Sequence, residues 1–138
     1  MEKATAIKTC LGILKGRDCI DLDQVRQDAL NNLTFTGTIN GHQISQYRDE
    51  KDWIPYTLVF RQVLAYFACE LDTYENLPGN ELPEGSSFDL IEDSIWLKSL
   101  PVRADFDKSI YQHYRLLTYD NVYNIIAVSY EFEAEFDV

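Results

Sequence analysis

Residues Tyr111 to Phe136 constrain the fold of this chain more tightly than any other stretch. Their second half alternates without interruption, with Val122, Asn124, Ile126, Val128, Tyr130, Phe132, Ala134 and Phe136 on one side and Glu131, Glu133 and Glu135 on the other. A period of two with one apolar and one charged face is the pattern of a half-buried strand in an antiparallel sheet. The first half must pair with it in the register that brings its own apolar residues to the same side, because a slip of one residue turns every side chain over. A two-residue Asp120-Asn121 loop would set Arg115 and His113 beside Ile126 and Val128. A three-residue loop, Tyr119-Asp120-Asn121, puts Tyr114 opposite Ile126 and Leu116 opposite Asn124, and Asn121 tolerates the left-handed backbone that such a loop needs. The sequence thus predicts a hairpin with Tyr114, Ile126, Val128 and Phe132 in the core, leaving Tyr111, His113, Arg115 and Tyr123 on the outer face.

The rest of the pattern predicts an α+β, β-dominated fold: two short N-terminal helices followed by an antiparallel, strongly bent sheet or small β-sandwich built from hairpins. Ile7, Cys10, Leu11 and Leu14 fall at helical spacing ahead of Gly16, which reads as a helix over residues 3–15. Asp21 and Gln24 have the spacing of a capping box, with Ile20 and Val25 at the staple positions, so a second helix is expected from Asp21 to near Asn31-Asn32. Leu33 to Tyr47 reads as a hairpin turning at Asn40-Gly41, with Leu33, Phe35, Ile39 and Ile44 on its core face and His42 at its turn end. Residues 57–71 are ambiguous. Val59, Phe60, Val63, Leu64 and Phe67 make a helical stripe, while the β-branched and aromatic content favours two strands broken near Arg61-Gln62. The neighbouring hairpins tip the reading toward strands. Residues 76–87 carry Pro78-Gly79, Pro83 and Gly85-Ser86 and read as a loop, after which strand character resumes over Phe88–Leu97, with Trp96 near its close. Pro101 to Lys108 is a turn-rich connection.

With 138 residues the chain is long enough to bury one core, and a single domain over residues 1–138 is expected. A net charge of −11 argues against a nucleic-acid partner, whose affinity comes from Lys and Arg on phosphate, and favours a basic protein. The imbalance is local as well. From Glu70 to Asp93 the acids Glu70, Asp72, Glu75, Glu81, Glu84, Asp89, Glu92 and Asp93 occur without a Lys or Arg among them. Cys10, Cys19 and Cys69 are odd in number and form no C-x-x-C pair, a usage that fits a reducing cytoplasm and neither a disulfide framework nor a zinc site. No leader-like segment or membrane-length apolar run is recognisable, so a soluble cytoplasmic protein with no membrane contact, cofactor or metal is expected; the sequence leaves the oligomeric state open.

His42 and His113 lie near no nucleophile motif, and Cys69 sits in an apolar run as a small buried residue would. Glu70 and Asp72 would point the same way along a strand, where with His113 they would make a hydrolytic carboxylate/His site. Aromatic residues give the better lead. Trp53, Tyr56, Trp96, Tyr111 and Tyr123, with His113 and Arg115, are the residue types of a protein hot spot or a stacking groove, unless the N-terminal helices cover them. The leading expectation is a non-catalytic acidic interaction module, an inhibitor or immunity-like protein presenting acidic and aromatic surface to a cationic protein. A carbohydrate or small-ligand domain using Trp53, Tyr56 and Trp96 is the alternative, and a hydrolase the third. In size, charge and β-content the chain resembles in general character the small acidic bacterial proteins of unknown function and the immunity proteins that neutralise toxins, a likeness that no motif carries.

Overall fold

A computed structural model describes residues 2–43, 53–77 and 86–135. Its strands are β1 (Lys3–Ala6), β2 (Lys8–Thr9), β3 (Gly12–Ile13), β4 (Ile20–Gln27), β5 (Leu33–Asn40), β6 (Trp53–Arg61), β7 (Ala65–Glu70), β8 (Phe88–Glu92), β9 (Gln112–Leu117), β10 (Asn121–Ala127) and β11 (Ser129–Ala134). Two five-residue helices, α1 (Leu71–Glu75) and α2 (Ile95–Ser99), follow β7 and β8. The strands form a five-stranded antiparallel sheet in the order β1-β8-β9-β10-β7, a four-stranded antiparallel sheet in the order β11-β6-β5-β4, and a small β2-β3 hairpin. The two larger sheets face each other through aromatic rings. Phe35 of β5 meets Tyr123 of β10 edge-on at 5.0 Å, Phe60 of β6 meets Tyr114 of β9 at 5.3 Å, and Phe88 of β8 meets Tyr130 of β11 at 5.2 Å. Phe35, Phe60 and Phe88 are fully buried, and each such ring stabilises the fold by about 2–3 kcal/mol.

The sheets are joined by a corner at which two strands cross together. β6 pairs with β11 in the second sheet, and their continuations β7 and β10 pair in the first. Between the pairs Arg61↔Ser129 and Ala65↔Ile126, three residues on one side (Gln62, Val63 and Leu64) oppose two on the other (Ala127 and Val128). The extra residue is absorbed at Gln62, whose φ of 52° is left-handed, with its N–H donating to the Asn32 side chain. Val128 N–H donates to Arg61 C=O at 3.0 Å and Leu64 N–H to Ile126 C=O at 2.8 Å, so the two crossings are bonded to each other. The expected break near Arg61-Gln62 is this corner.

The same corner corrects the C-terminal hairpin. Val122 to Ala134 is two strands in different sheets: Tyr123, Ile125 and Ala127 face the core before Val128, and Tyr130, Phe132 and Ala134 face it afterwards, while Phe136 lies outside the described residues. The β9–β10 register also differs from expectation, with Leu117 opposite Val122, Tyr114 opposite Ile125 and His113 opposite Ile126. Thr118 sets it, because its N–H donates to Asn121 C=O while its hydroxyl both donates to that carbonyl and accepts Asn121 N–H, leaving a two-residue Tyr119-Asp120 tip. Tyr114 is in the core as expected, whereas Ile126, though buried, lies on the other face of the sheet.

The two N-terminal helices are not formed; the class is β-dominated and its short helices come later. Residues 3–13 make β1 and the β2-β3 hairpin, which reverses at Cys10-Leu11 and resumes at Gly12 with φ 91°. Residues 20–27 make β4, and the helix-like spacing of its apolar residues has a definite origin. Ile20, Leu22 and Val25 all face inward along the strand, but the register shifts between Leu22 and Gln24, and the extra residue Asp23 turns a spacing of two into one of three. Leu33 to Asn40 pairs with β4 and β6 on its two sides, and Gly41–Gln43 is a single 3-10 turn in which Asn40 Oδ1 accepts His42 N–H. Ile44 lies outside the described residues, and His42 is exposed. Trp96 is on α2, not on a strand.

The bulge depends on one glycine. A Cβ on Gly37 would stand 2.0 Å from the Asp21 carbonyl oxygen, closer than any side-chain atom can approach backbone. Gly37→Ala is expected to lower unfolding free energy by about 3 kcal/mol or more, because backbone and not a flexible side chain must give way. Urea melts of the two proteins check this, and a loss under about 1 kcal/mol would mean that the bulge is not fixed by this contact.

Candidate functional site

The register that the Thr118 turn imposes puts Asp89, Ile91, His113, Arg115, Leu117, Val122, Asn124 and Ile126 together on the outer face of the five-stranded sheet. The two short helices close this face. Glu70 caps α1 by accepting Asp72 and Thr73 N–H, and Leu71 and Tyr74 pack on Val122, with Cys69 and Leu117 beside them. A five-residue helix is not stable by itself, and α2 is pinned by four contacts. Ser94 Oγ accepts Leu97 N–H, Glu2 accepts Ile95 N–H at 2.8 Å, and the Trp96 ring stands edge-on to His113 at 5.3 Å and to Phe67 at 5.1 Å. Asp93, at the turn into α2, has a left-handed φ of 59° and a carboxyl pushed down to about 2 by its hydrogen bond from the Lys98 ammonium.

Under α2 lies a line of buried polar side chains. Asn124 Oδ1 accepts from His113 Nε2 at 2.7 Å, so in this orientation of the amide Nε2 carries the proton and Nδ1 accepts the Ser94 hydroxyl at 2.7 Å. Burial holds the His113 pKa below its ordinary 6.5, with the Arg115 charge adding to the effect and the Asn124 bond and Glu2 opposing it. Beside it the Arg115 guanidinium approaches Asp89 at 3.5 Å, and burial raises the Asp89 pKa against the pull of Ser86 and Arg115. Arg115 Nε and Asn124 Nδ2 are buried without a partner among the described residues. Hydroxyl to imidazole to amide is the order in which a serine can be activated, but the Ser94 oxygen is also the cap of α2 and the residue is 4% exposed. What this arrangement does in the structure is tether α2 to the sheet through a neutral imidazole. A pocket of about 360 Å³, lined by Leu90, Ile91, Ser94, Leu97, Tyr111 and His113 among others, opens beside it.

Of the residues the sequence singles out, His113, Arg115, Trp96 and Tyr111 are thus gathered in one place, the first two buried rather than outward in solvent. Tyr123 is on the inner face, half-buried against Phe35. Tyr56 is in the core, stacked on Phe132 at 5.9 Å, with its hydroxyl unpartnered and its pKa raised by burial. Trp53 starts β6, half-exposed on the other sheet. Glu70 stands opposite Asn121 and His113 opposite Ile126, five residues along β10 and so about 16 Å apart, and the expected meeting of Glu70 or Asp72 with His113 does not occur. Ser94, Asn124 and Asp89 were not anticipated. Asn124 had a signal, a polar residue interrupting the Val122, Ile126 stripe, and Ser94 precedes Leu97 at the N-cap spacing.

The acidic run from Glu70 to Asp93 is largely engaged where it is described. Glu70 caps α1, Asp72 pairs with Arg17 at 3.6 Å, Asp89 is buried with Arg115, Glu92 accepts the Thr5 hydroxyl and Asp93 pairs with Lys98. Glu81 and Glu84 lie outside the described residues. The open acidic surface is elsewhere, on the outer face of the four-stranded sheet. There Asp21, Thr38 and Pro55 form one row that Glu135 extends, its N–H bonded to Pro55; Gln24, Thr36, Thr57 and Glu133 form the next, and Arg26, Thr34, Val59 and Glu131 the third. Trp53, 52% exposed, stands at the first row's end, while Arg61, paired with Glu131 at 3.2 Å, stands at the opposite end. Among the described residues no helix is long and apolar enough to cross a membrane. No family model matches the chain, and no curated protein or solved structure is significantly similar to it.

The His113 tether gives stability a pH dependence of known sign. Because the folded pKa is depressed, the unfolded chain takes up the proton first, so the contribution is complete above pH 6.5 and is lost as pH falls through the lowered value. Asp89, with a raised pKa, acts in the opposite sense, gaining stability as pH falls through its raised value toward 3.8. Subtracting the stability of His113→Gln isolates the histidine. The gap between wild type and variant is expected to narrow between about pH 7.5 and about pH 5 in urea melts, and a constant gap would remove the neutral imidazole from this role.

Proposed function

We propose that the protein is a non-catalytic interaction module that receives a cationic protein surface on the outer face of its four-stranded sheet. The observation that carries this reading is the polarity of that face: Asp21 and Glu135 stand in the row next to the half-exposed Trp53, Glu133 follows in the middle row, and the arginines Arg26 and Arg61 stand at the other end. Trp53 and Arg61 are eight residues apart on β6, about 26 Å, beyond the screening length of about 8 Å at physiological salt. Arg61 therefore leaves the carboxylates at the Trp53 end uncompensated. An arginine or lysine of a partner can lie over the indole face and meet these carboxylates at once, and the rigid threonine rows offer a flat platform with little entropy to lose. Affinity capture from native lysate is the test. Wild type is expected to retain a set of basic proteins at low salt, and Glu133→Lys/Glu135→Lys to lose them; retention that ignores both salt and the substitutions would overturn the proposal.

The pocket beside His113 supports a second reading, a small-ligand domain, because its volume of about 360 Å³ and its mixture of Leu90, Ile91 and Leu97 with Ser94, Tyr111 and His113 are those of a small-molecule site. A ligand there would alter the emission of Trp96, which touches His113. A metabolite panel read by fluorescence of a Trp53→Phe variant is expected to give a saturable change, abolished by Leu97→Trp filling the pocket; no change across the panel would count against the reading.

A further inference from the structure

The sheet edges of this protein are treated unequally. β4 is interrupted by the Asp23 bulge and carries Asp21, Asp23 and Arg26; β11 carries Glu131 and Glu133; β1 is four residues long and begins at Lys3. These are the devices by which edges are kept from pairing with other chains. β7 has only the carboxylate of Glu70, at its last position. Ala65, Tyr66, Phe67, Ala68 and Cys69 run without charge or bulge up to Glu70, and Tyr66, Phe67 and Ala68 are exposed. Leu71 N–H donates to Asp120 C=O and Thr118 N–H to Asn121 C=O, which fixes the alternation along β10 and β7. Ala65, Phe67 and Cys69 therefore bond to β10, and Tyr66 and Ala68 turn their N–H and C=O groups to the open edge, as does the N–H of Glu70, whose C=O opens α1. Among the described residues no strand pairs with that edge.

We propose that β7 is the interface of a homodimer, in which the β7 strands of two copies pair antiparallel about a two-fold axis at Ala68 and continue the five-stranded sheet into the second copy. Charge and register select a second copy as the occupant. On a chain of net charge −11, two copies repel each other least along a seam of few charges, and β7 is uncharged from Ala65 to Cys69. With the axis at Ala68, the Tyr66 C=O accepts the Glu70 N–H of the second copy, Ala68 pairs with its own equivalent, and no carboxylate faces another. Moving the axis to Glu70 would oppose two carboxylates, and moving it to Tyr66 would carry the partner strand past the start of β7 at Ala65. On the outer face Phe67 falls opposite Cys69 of the second copy, beside the Phe67–Trp96 pair and Ile95, which is 69% exposed. The contact is the same patch on both copies and so closes at two. The outer face of the four-stranded sheet stays open in this dimer, so the cationic-partner proposal and this one stand or fall separately.

Sedimentation velocity over a concentration series is expected to show a monomer–dimer equilibrium for the wild type. Ala68→Lys, at an exposed position on the edge, is expected to keep the thermal melt and weaken association roughly ten-fold or more by setting like charges at the axis. The register has its own test. Non-hydrogen-bonded partners in an antiparallel pair have Cα atoms about 4.5 Å apart, within disulfide reach, so Phe67→Cys in a Cys10→Ser background is expected to give an oxidised dimer through Cys69. That dimer should vanish on adding Cys69→Ser. A wild type monomeric at every concentration would overturn the proposal, and a cross-link that survives Cys69→Ser would overturn its register.

Discussion

The corner at which β6 passes into β7 while β10 passes into β11 is the constraint on which the rest of the structure depends. Because the two crossings are bonded to each other through Val128, Arg61, Leu64 and Ile126, the ribbon cannot shift in one sheet without shifting in the other. The unequal count of residues around it, absorbed at Gln62, reverses which parity of side chain faces inward from β10 to β11 while leaving it unchanged from β6 to β7. Both inner faces are thereby apolar although the alternation along the sequence never breaks. Sliding either pair by one residue would exchange the Phe60 and Ile125 core for Val59 and Asn124.

The sequence was legible where local chemistry and tertiary context agree. The break near Arg61-Gln62 could be read from two apolar segments with a polar interruption, and Phe35, Tyr114 and Leu33 are core as their alternation implies. It was misleading where a single residue changed the period. Asp23 made β4 look helical, and Thr118, whose side chain closes the turn one residue earlier than Asp120-Asn121 would suggest, set the register of β9 against β10. Neither effect is visible in propensity, since each depends on a strand elsewhere in the chain: Gly37 on β5 makes room for the bulge, and the Ile20 carbonyl receives the N–H of Tyr119.

The candidate site was half legible for a related reason. His113 and Arg115 do share a face, with Trp96 and Tyr111 close by, as a reading of outward-pointing residues would place them. What the sequence could not convey is that two five-residue helices after β7 and β8 fold back over that face, so that groups expected in solvent must satisfy one another. The loosely held Arg115–Asp89 pair and the orphaned Asn124 Nδ2 mark a polar cluster whose members bond incompletely, a costly arrangement in a dry setting. The four-stranded sheet went the other way: its outer face has no such cover among the described residues, and its glutamates and Trp53 remain at the surface.

The paired crossings also bear on how the chain is made. β6 and β7 precede β10 and β11 by some sixty residues, so during synthesis the apolar run Tyr66 to Cys69 emerges long before β10 exists to cover one of its edges. Contacts of such sequence separation form late and slowly. Until residues 121–134 arrive, β7 is a bare strand on both sides, and the nascent chain passes through a stage at which its least protected segment is fully available to any neighbour.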